Sequence, residues 1–192
     1  MRVIAGTARG VPLTAPRGST TRPITDRVKE TLFAILGDRV PEARVLDLYA
    51  GSGAIGIEAL SRGADRVDFV ERERSATQAL RSNLDKTRLG ENAEVHELDV
   101  ERFLASTTGE WDVVVLDPPY EVRAIVAPLR ALVPHLAPGA SVVIKHFWRA
   151  ETPEVEGLSV TRQRRFGETM LTFLEAPDAC REWRFSRARS TP

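Results

Sequence analysis

The chain has 192 residues, 42% of them hydrophobic and 28% charged. That is the size and composition of one globular domain with small additions, and it excludes collagen-like, disordered and membrane-spanning classes. The single cysteine, Cys180, leaves no disulfide framework and no cysteine-based metal site. The first residues hold no apolar run of signal-peptide length, so the expectation is a cytoplasmic protein without membrane contact. A formal net charge of zero hides an asymmetry: residues 1–44 carry eight basic and four acidic side chains, residues 45–125 nine and sixteen, and residues 160–192 seven and four. Basic ends around an acidic middle, in a chain with only three lysines (Lys29, Lys86 and Lys145) among its 27 basic residues, favour a polyanionic partner.

In chain order, residues 2–5 and 11–14 read as a small hairpin turning through Gly6 and Gly10. Thr25 or Asp26 then caps a helix carrying Val28, Leu32 and Ile35, which ends at Gly37. This makes residues 1–40 an appendage. From Arg44 onward, apolar runs alternate with helical stretches, the rhythm of a parallel sheet. Strands are predicted over 45–49, 66–71, 94–98, 112–117 and 141–146, and helices over 54–62 and 74–89, with Gly90 as a stop. Val122, Ile125, Val126, Leu129, Leu132, Val133 and Leu136 fit one more helix, which Pro128 and Pro134 should kink or shorten. After Pro153 the pattern becomes two extended stretches, 159–165 and 169–175, around Phe166-Gly167-Glu168, an antiparallel hairpin that closes the sheet. The main domain is thus 41–176, and 177–192 is a basic tail.

The first chemical segment is Val45-Leu46-Asp47-Leu48-Tyr49-Ala50-Gly51-Ser52-Gly53-Ala54-Ile55-Gly56, a strand running through a glycine turn into a helix. Gly51 and Gly53 allow a sharp turn and close approach of a ligand, and the helix N-terminus behind them offers unpaired N–H groups. Glu71, at the end of the second strand, is placed to accept hydrogen bonds from ribose hydroxyls. The same glycines also satisfy the dinucleotide fingerprint G-x-G-x-x-G. Against that reading stands Asp47, an anion where a pyrophosphate would approach; the ammonium and sulfonium of S-adenosylmethionine would be attracted there instead. Asp47 can equally serve by accepting N–H groups of the loop, and both roles stay open.

The second segment, Asp112-Val113-Val114-Val115-Leu116-Asp117-Pro118-Pro119-Tyr120, ends a buried strand with an acid, two prolines and an aromatic ring. Ligands of open α/β sheets bind beyond the carboxyl ends of the strands, so Asp117 should share a crevice with Gly51 and Glu71. The Asp117 carboxylate and the Pro118 carbonyl can accept hydrogen bonds from an exocyclic amine. Two aligned acceptors localise a nitrogen lone pair that is otherwise delocalised into the base, and Tyr120 offers a stacking face. His96, His135 and His146 read as dispersed surface or strand-end residues, and no metal is expected. Trp111, Trp148 and Trp183 read as packing or tail residues.

Asp47 to Gly53 and Asp117 to Tyr120 resemble the cofactor and catalytic motifs of nucleic-acid amino-group methyltransferases. Together with Arg22-Pro23-Ile24-Thr25-Asp26-Arg27-Val28-Lys29-Glu30-Thr31-Leu32-Phe33, the stretch from Leu46 to Ala64, and Arg165-Phe166-Gly167-Glu168-Thr169, they resemble the RsmD-type bacterial 16S rRNA guanine-N2 methyltransferases. The resemblance implies a class I, Rossmann-like fold with a seven-stranded, mostly parallel sheet and an antiparallel C-terminal hairpin strand. It implies S-adenosyl-L-methionine as cofactor, with Asp47, Ala50, Gly51, Ser52, Gly53, Glu71, Arg72 and Asp99 lining its pocket and Asp99 at the adenine end. The implied active site is Asp117, Pro118, Pro119 and Tyr120. The implied substrate is 16S rRNA in an assembled or partly assembled 30S subunit, with the segment from Arg22 to Glu30, including Arg27, over the cleft and touching cofactor or RNA. The basic ends then offer Arg2, Arg9, Arg17, Arg22, Arg164 and Arg165 as phosphate contacts. A monomer is expected. Three other readings compete: a DNA adenine-N6 methyltransferase, a non-catalytic RNA-docking or ribosome-assembly protein, and a nicotinamide-dependent oxidoreductase.

Overall fold

The computed structural model describes residues 1–16, 24–118 and 123–178, the side chains of 123 and 124 excepted. Seven strands form one sheet: β1 (Arg44–Leu48), β2 (Arg66–Val70), β3 (Ala93–His96), β4 (Trp111–Leu116), β5 (Leu136–Phe147), β6 (Ser159–Phe166) and β7 (Thr169–Glu175). Their spatial order is β3-β2-β1-β4-β5-β7-β6. The first five run parallel, and β7 pairs antiparallel with both β5 and β6. The crossover helices are α2 (Ala54–Ser61), α3 (Arg74–Thr87), α4 (Val100–Ser106) and α5 (Arg123–Leu132), preceded by α1 (Asp26–Leu36). The sheet is therefore the mostly parallel, Rossmann-like architecture of class I methyltransferases, with an antiparallel C-terminal hairpin.

The two-residue side-chain period of the strands divides the core into two layers. Val45, Val67, Phe69, Val113, Val115 and Val143 pack against Leu32, Ile57 and Leu80 of the first three helices. Leu46, Leu48, Val70, Val114, Leu116, Val142 and Ile144 pack on the opposite face against Phe103 and Leu129. Strands covered on both faces read as unbroken apolar runs, which is why the central ones are legible in the sequence.

Several boundaries differ from expectation. The N-terminal hairpin is reduced to one antiparallel bridge, Arg2 with Pro12, because the Val11 N–H turns back to the Ala8 carbonyl and the Val3 carbonyl is taken by the Gly10 N–H. It does not stand apart: Val3, Ala8 and Leu13 are buried in the first core layer. α3 stops at Thr87 with Arg88 in the left-handed region (φ 58°), so the predicted stop at Gly90 instead opens a short 3-10 turn, Gly90–Asn92. α4 was not expected. Its seven residues bear too short an apolar pattern to stand out, and Asp99 caps it by accepting the Glu101 N–H. β5 begins five residues before the predicted 141, since Leu136 pairs with Trp111 across a register shift. α5 accommodates Pro128 and passes into a 3-10 turn at Val133–His135, where Pro134 occupies an early position.

The histidines are less peripheral than their dispersion suggests. His146 is buried and meets Thr172 Oγ1 at 2.8 Å. Both ring nitrogens of His135 lie against carbonyls, those of Gly109 and Leu104. His96 meets Asp68 at 3.1 Å, and Asp68, Glu94 and His96 offer ligand-type atoms within 4.8 Å of one another. Those carboxylates are already engaged: Trp111 Nε1 donates to Asp68 and Arg66 to Glu94. β-Strand pairing assembled this group from residues the sequence keeps apart.

Candidate active site

The end of β1 carries the tightest backbone in the site. Tyr49 adopts φ 61°, a region that costs a non-glycine residue about 1–2 kcal/mol, and Gly51 and Gly53 follow at φ 56° and 77°. Gly51 has open space where a Cβ would stand, so its need is conformational. Gly53 has a second need, because a Cβ there would lie 2.3 Å from Leu80 Cδ1. A Cβ on Gly56 would lie 2.2 Å from the Phe69 ring, so this glycine lets α2 settle on β2. The loop is tied from behind by Asn83, which is fully buried, donates to the Ser52 carbonyl at 3.0 Å and clasps the backbone of Thr14 in both directions.

Alternation along the strands brings four charged residues to one face of the sheet at the carboxyl ends. Residues two beyond Phe69, Val45 and Val115 share their face, and these are Glu71, Asp47 and Asp117. Leu116 pairs with Ile144, so the following residues, Asp117 and Lys145, become neighbours. In the order β2-β1-β4-β5 the row reads Glu71, Asp47, Asp117, Lys145.

Each member has defined partners. Glu71 accepts the Gly51 N–H at 2.9 Å and the Glu73 N–H at 2.8 Å, which anchors the glycine loop and leaves further lone pairs for a ligand hydroxyl. Asp47 accepts the Gly56 N–H at 2.9 Å and is 1% exposed. Of the two roles open for Asp47, a bond to a backbone N–H is therefore present, and its donor is Gly56 in the first turn of α2, not the loop. Burial pushes its carboxyl up to about 7, opposed by the Gly56 N–H and reinforced by repulsion from Asp117 and Glu71. Lys145 Nζ donates to Asp117 Oδ1 at 2.6 Å and Oδ2 at 2.7 Å. Burial also raises Asp117, against the pull of the Lys145 ammonium. The Asp117 N–H donates to the Leu48 carbonyl, and Pro118 is buried.

The remaining expected residues divide. Ala50 and Ser52 belong to the glycine turn, where Ala50 accepts the Gly53 N–H. Arg72 lies 3.8 Å from Asp99 on an exposed rim beside Tyr49. Arg27 is exposed in the first turn of α1, and Lys29 of the same helix reaches the Ala54 carbonyl at the start of α2. Arg164 sits opposite Leu171, itself opposite Lys145, which places it on the face of Asp117. Arg165 falls on the other face, its guanidinium 3.6 Å over the Trp148 ring and Arg149 at 4.8 Å. Arg9 is not brought to the site: its neighbours Thr7 and Ala8 bond Ser61, at the end of α2 remote from Gly53. Pro119, Tyr120, Arg17, Arg22, Cys180 and Trp183 lie outside the described residues. Lys145 was missed; its only signal was a lone lysine ending an apolar strand in an arginine-rich chain.

The donor set suits a cationic adenosyl ligand: a glycine turn open at Gly51, with three carboxylates in one row beside it. Negative charge of that density disfavours a pyrophosphate.

The comparisons agree with this geometry. A family model described as "Conserved hypothetical protein 95" matches residues 1–175. A Bacillus subtilis (strain 168) protein named as a candidate rRNA methyltransferase, YlbH, is 40% identical over 175 residues, covering 88% of this chain and 95% of that protein. "Ribosomal RNA small subunit methyltransferase D" of Escherichia coli (strain K12) is 42% identical over 120 residues, 62% of this chain and 60% of that one. Among solved structures, a candidate methyltransferase of Escherichia coli, yhhF, superposes with a TM-score of 0.84 at 33% identity, covering 92% of this chain and 98% of its own. A model match over residues 1–175, and a relative of this identity along nearly its whole length, show that the chain belongs to the RsmD-type methyltransferase family.

Proposed function

We propose that the protein transfers a methyl group from S-adenosyl-L-methionine to the exocyclic N2 of a guanine in 16S rRNA, in the cytoplasm and on an assembled or partly assembled 30S subunit, acting as a monomer. The observation that carries the reading is that Asp117, at the end of β4, lies on the same face as Asp47 of the neighbouring strand that leads into the glycine turn. The relatives named for small-subunit rRNA supply the substrate class.

When bound, the cofactor supplies an electrophilic methyl on a positively charged sulfur. Gly51 would give it room and Gly53 would hold the turn, Glu71 would take ribose hydroxyls, Asp47 would face its positive charge, and Asp99 with Arg72 would border the adenine end. The protein's own work is positioning. Asp117 would accept one hydrogen of the guanine amine and the Pro118 carbonyl the other, turning the nitrogen lone pair out of conjugation and toward the methyl group. The same carboxylate can receive the proton that the nitrogen must lose. Tyr120 would stack on the base drawn out of its helix.

A tritiated-methyl transfer assay on unmodified 30S subunits, protein-free 16S rRNA and duplex DNA, followed by nucleoside analysis, tests the reading. N2-methylguanosine from subunits or rRNA is the expected product. N6-methyladenine in DNA would overturn the substrate, and cofactor binding without transfer would favour a docking protein. Asp117→Asn should lower kcat by about 100- to 1,000-fold, with little change in cofactor affinity.

A further inference from the structure

Lys145 reaches the site through sheet register. β5 sets it beside Asp117 at the carboxyl end of β4, and its ammonium meets both carboxylate oxygens at 2.6 and 2.7 Å. The pair is largely withdrawn from water, with 11% of the Lys145 side chain and 25% of the Asp117 side chain exposed. Of the other charges on this face, Asp47 on β1 is the neighbouring acid that repels Asp117, Glu71 lies beyond Asp47, and Arg164 on β6 lies two strand positions beyond Lys145. His146, next along β5, turns to the opposite face and bonds Thr172 of β7. From β2 to β5 the row is three acids and one cation, and that cation is spent on Asp117.

We propose that Lys145 is a positioning residue for methyl transfer, holding Asp117 as an ionised acceptor of fixed orientation at the carboxyl end of β4. This rests on the reading of Asp117 as acceptor for the substrate amine. A carboxylate has about four acceptor positions, and the ammonium uses two, so the remaining ones stay available to the amine. A protonated Asp117 would instead present a donor to that nitrogen and compete for the lone pair the reaction needs. Removing a cation at hydrogen-bond distance favours the protonated form of a buried carboxyl, and burial already pushes Asp117 in that direction.

The test uses the full chain and two readouts. Side-chain carboxyl 13C NMR, with Asp117 assigned by its loss in Asp117→Asn, is titrated in wild type, Lys145→Met and Lys145→Arg. The Asp117 midpoint should rise by about 1–3 units in Lys145→Met and fall back in Lys145→Arg. In the methyl-transfer assay, Lys145→Met should lose kcat near neutral pH and regain much of it at alkaline pH, while Lys145→Arg keeps the wild-type profile. An unmoved midpoint, or an activity loss equal at every pH, overturns the proposal. Lys145→Gln, which keeps donor N–H groups without the charge, replaces the Met variant if that does not fold. Should wild type methylate none of the substrates, the substrate reading fails while the NMR titration still decides the role of Lys145.

Discussion

Asp47 is a buried acid that costs the free protein stability. Its carboxyl stands at about 7 against an ordinary 3.8, so the folded state holds its proton more tightly than the unfolded chain does. For a raised acid, stability is highest below the unfolded value and falls as pH rises through the window from about 4 to 7, after which the whole cost is present. Asp47→Asn keeps an acceptor for the Gly56 N–H without the charge. It should therefore raise stability in urea titrations at alkaline pH, by an amount on the order of 1–4 kcal/mol, and leave it nearly unchanged in acid. The same substitution should weaken S-adenosylhomocysteine binding. In wild type, calorimetry across the neutral range should show affinity rising with pH, because a ligand ammonium favours ionised Asp47 and binding below that range must expel a proton; Asp47→Asn should flatten the profile. The pattern of Asp47, Gly51, Gly53 and Asp117 is legible in the sequence because strand-end acids and turn glycines are local features. Whether Asp47 meets a ligand or a backbone N–H is not, since that depends on how α2 returns over β1.

At the scale of elements, Ser61, Asn83 and Glu58 all tie the N-terminal segment to the Rossmann-like core, and Glu58 gathers the most partners. Glu58 of α2 is fully buried and accepts the N–H groups of Ile4 and Ala5, the Lys29 ammonium at 3.0 Å and the Arg62 guanidinium at 2.8 Å. Lys29 is fully buried too. Glu58→Gln exchanges one acceptor oxygen for a donor and leaves Lys29 without its counter-charge, so it should destabilise by about 3–5 kcal/mol in chemical denaturation. Amide exchange should accelerate first in residues 1–16. Periodicity revealed α1, α2 and α3, while α4 stayed hidden because seven residues give under two turns of pattern. The N-terminal pair looked like a hairpin because its glycines mark turns, but its attachment to α2 is a long-range contact that no local pattern encodes.

For the whole molecule, sheet topology sorts the arginines that charge counting left together. Arg164 lies on the face of Asp117, two strand positions beyond Lys145, whereas Arg9 sits at the remote end of α2. Arg164→Ala should weaken RNA binding uniformly across sequences and reduce the slope of log affinity against log salt by about one, measured by filter binding at several salt concentrations. Arg9→Ala should leave both unchanged. Among the described residues no helix is long and apolar enough to cross a membrane, in keeping with the composition.

The sequence by itself determined the fold class and the two chemical segments, because buried parallel strands, glycine turns and an Asp-Pro-Pro-Tyr strand end are written in consecutive residues. Only the tertiary structure decided that Glu71, Asp47, Asp117 and Lys145 form one row, that Asp47 is sealed against Gly56, and that Arg9 stands away from the site. The reason is physical: strand order and register set which distant residues become neighbours, and they follow from how both faces of the whole sheet are buried, not from any single stretch of chain.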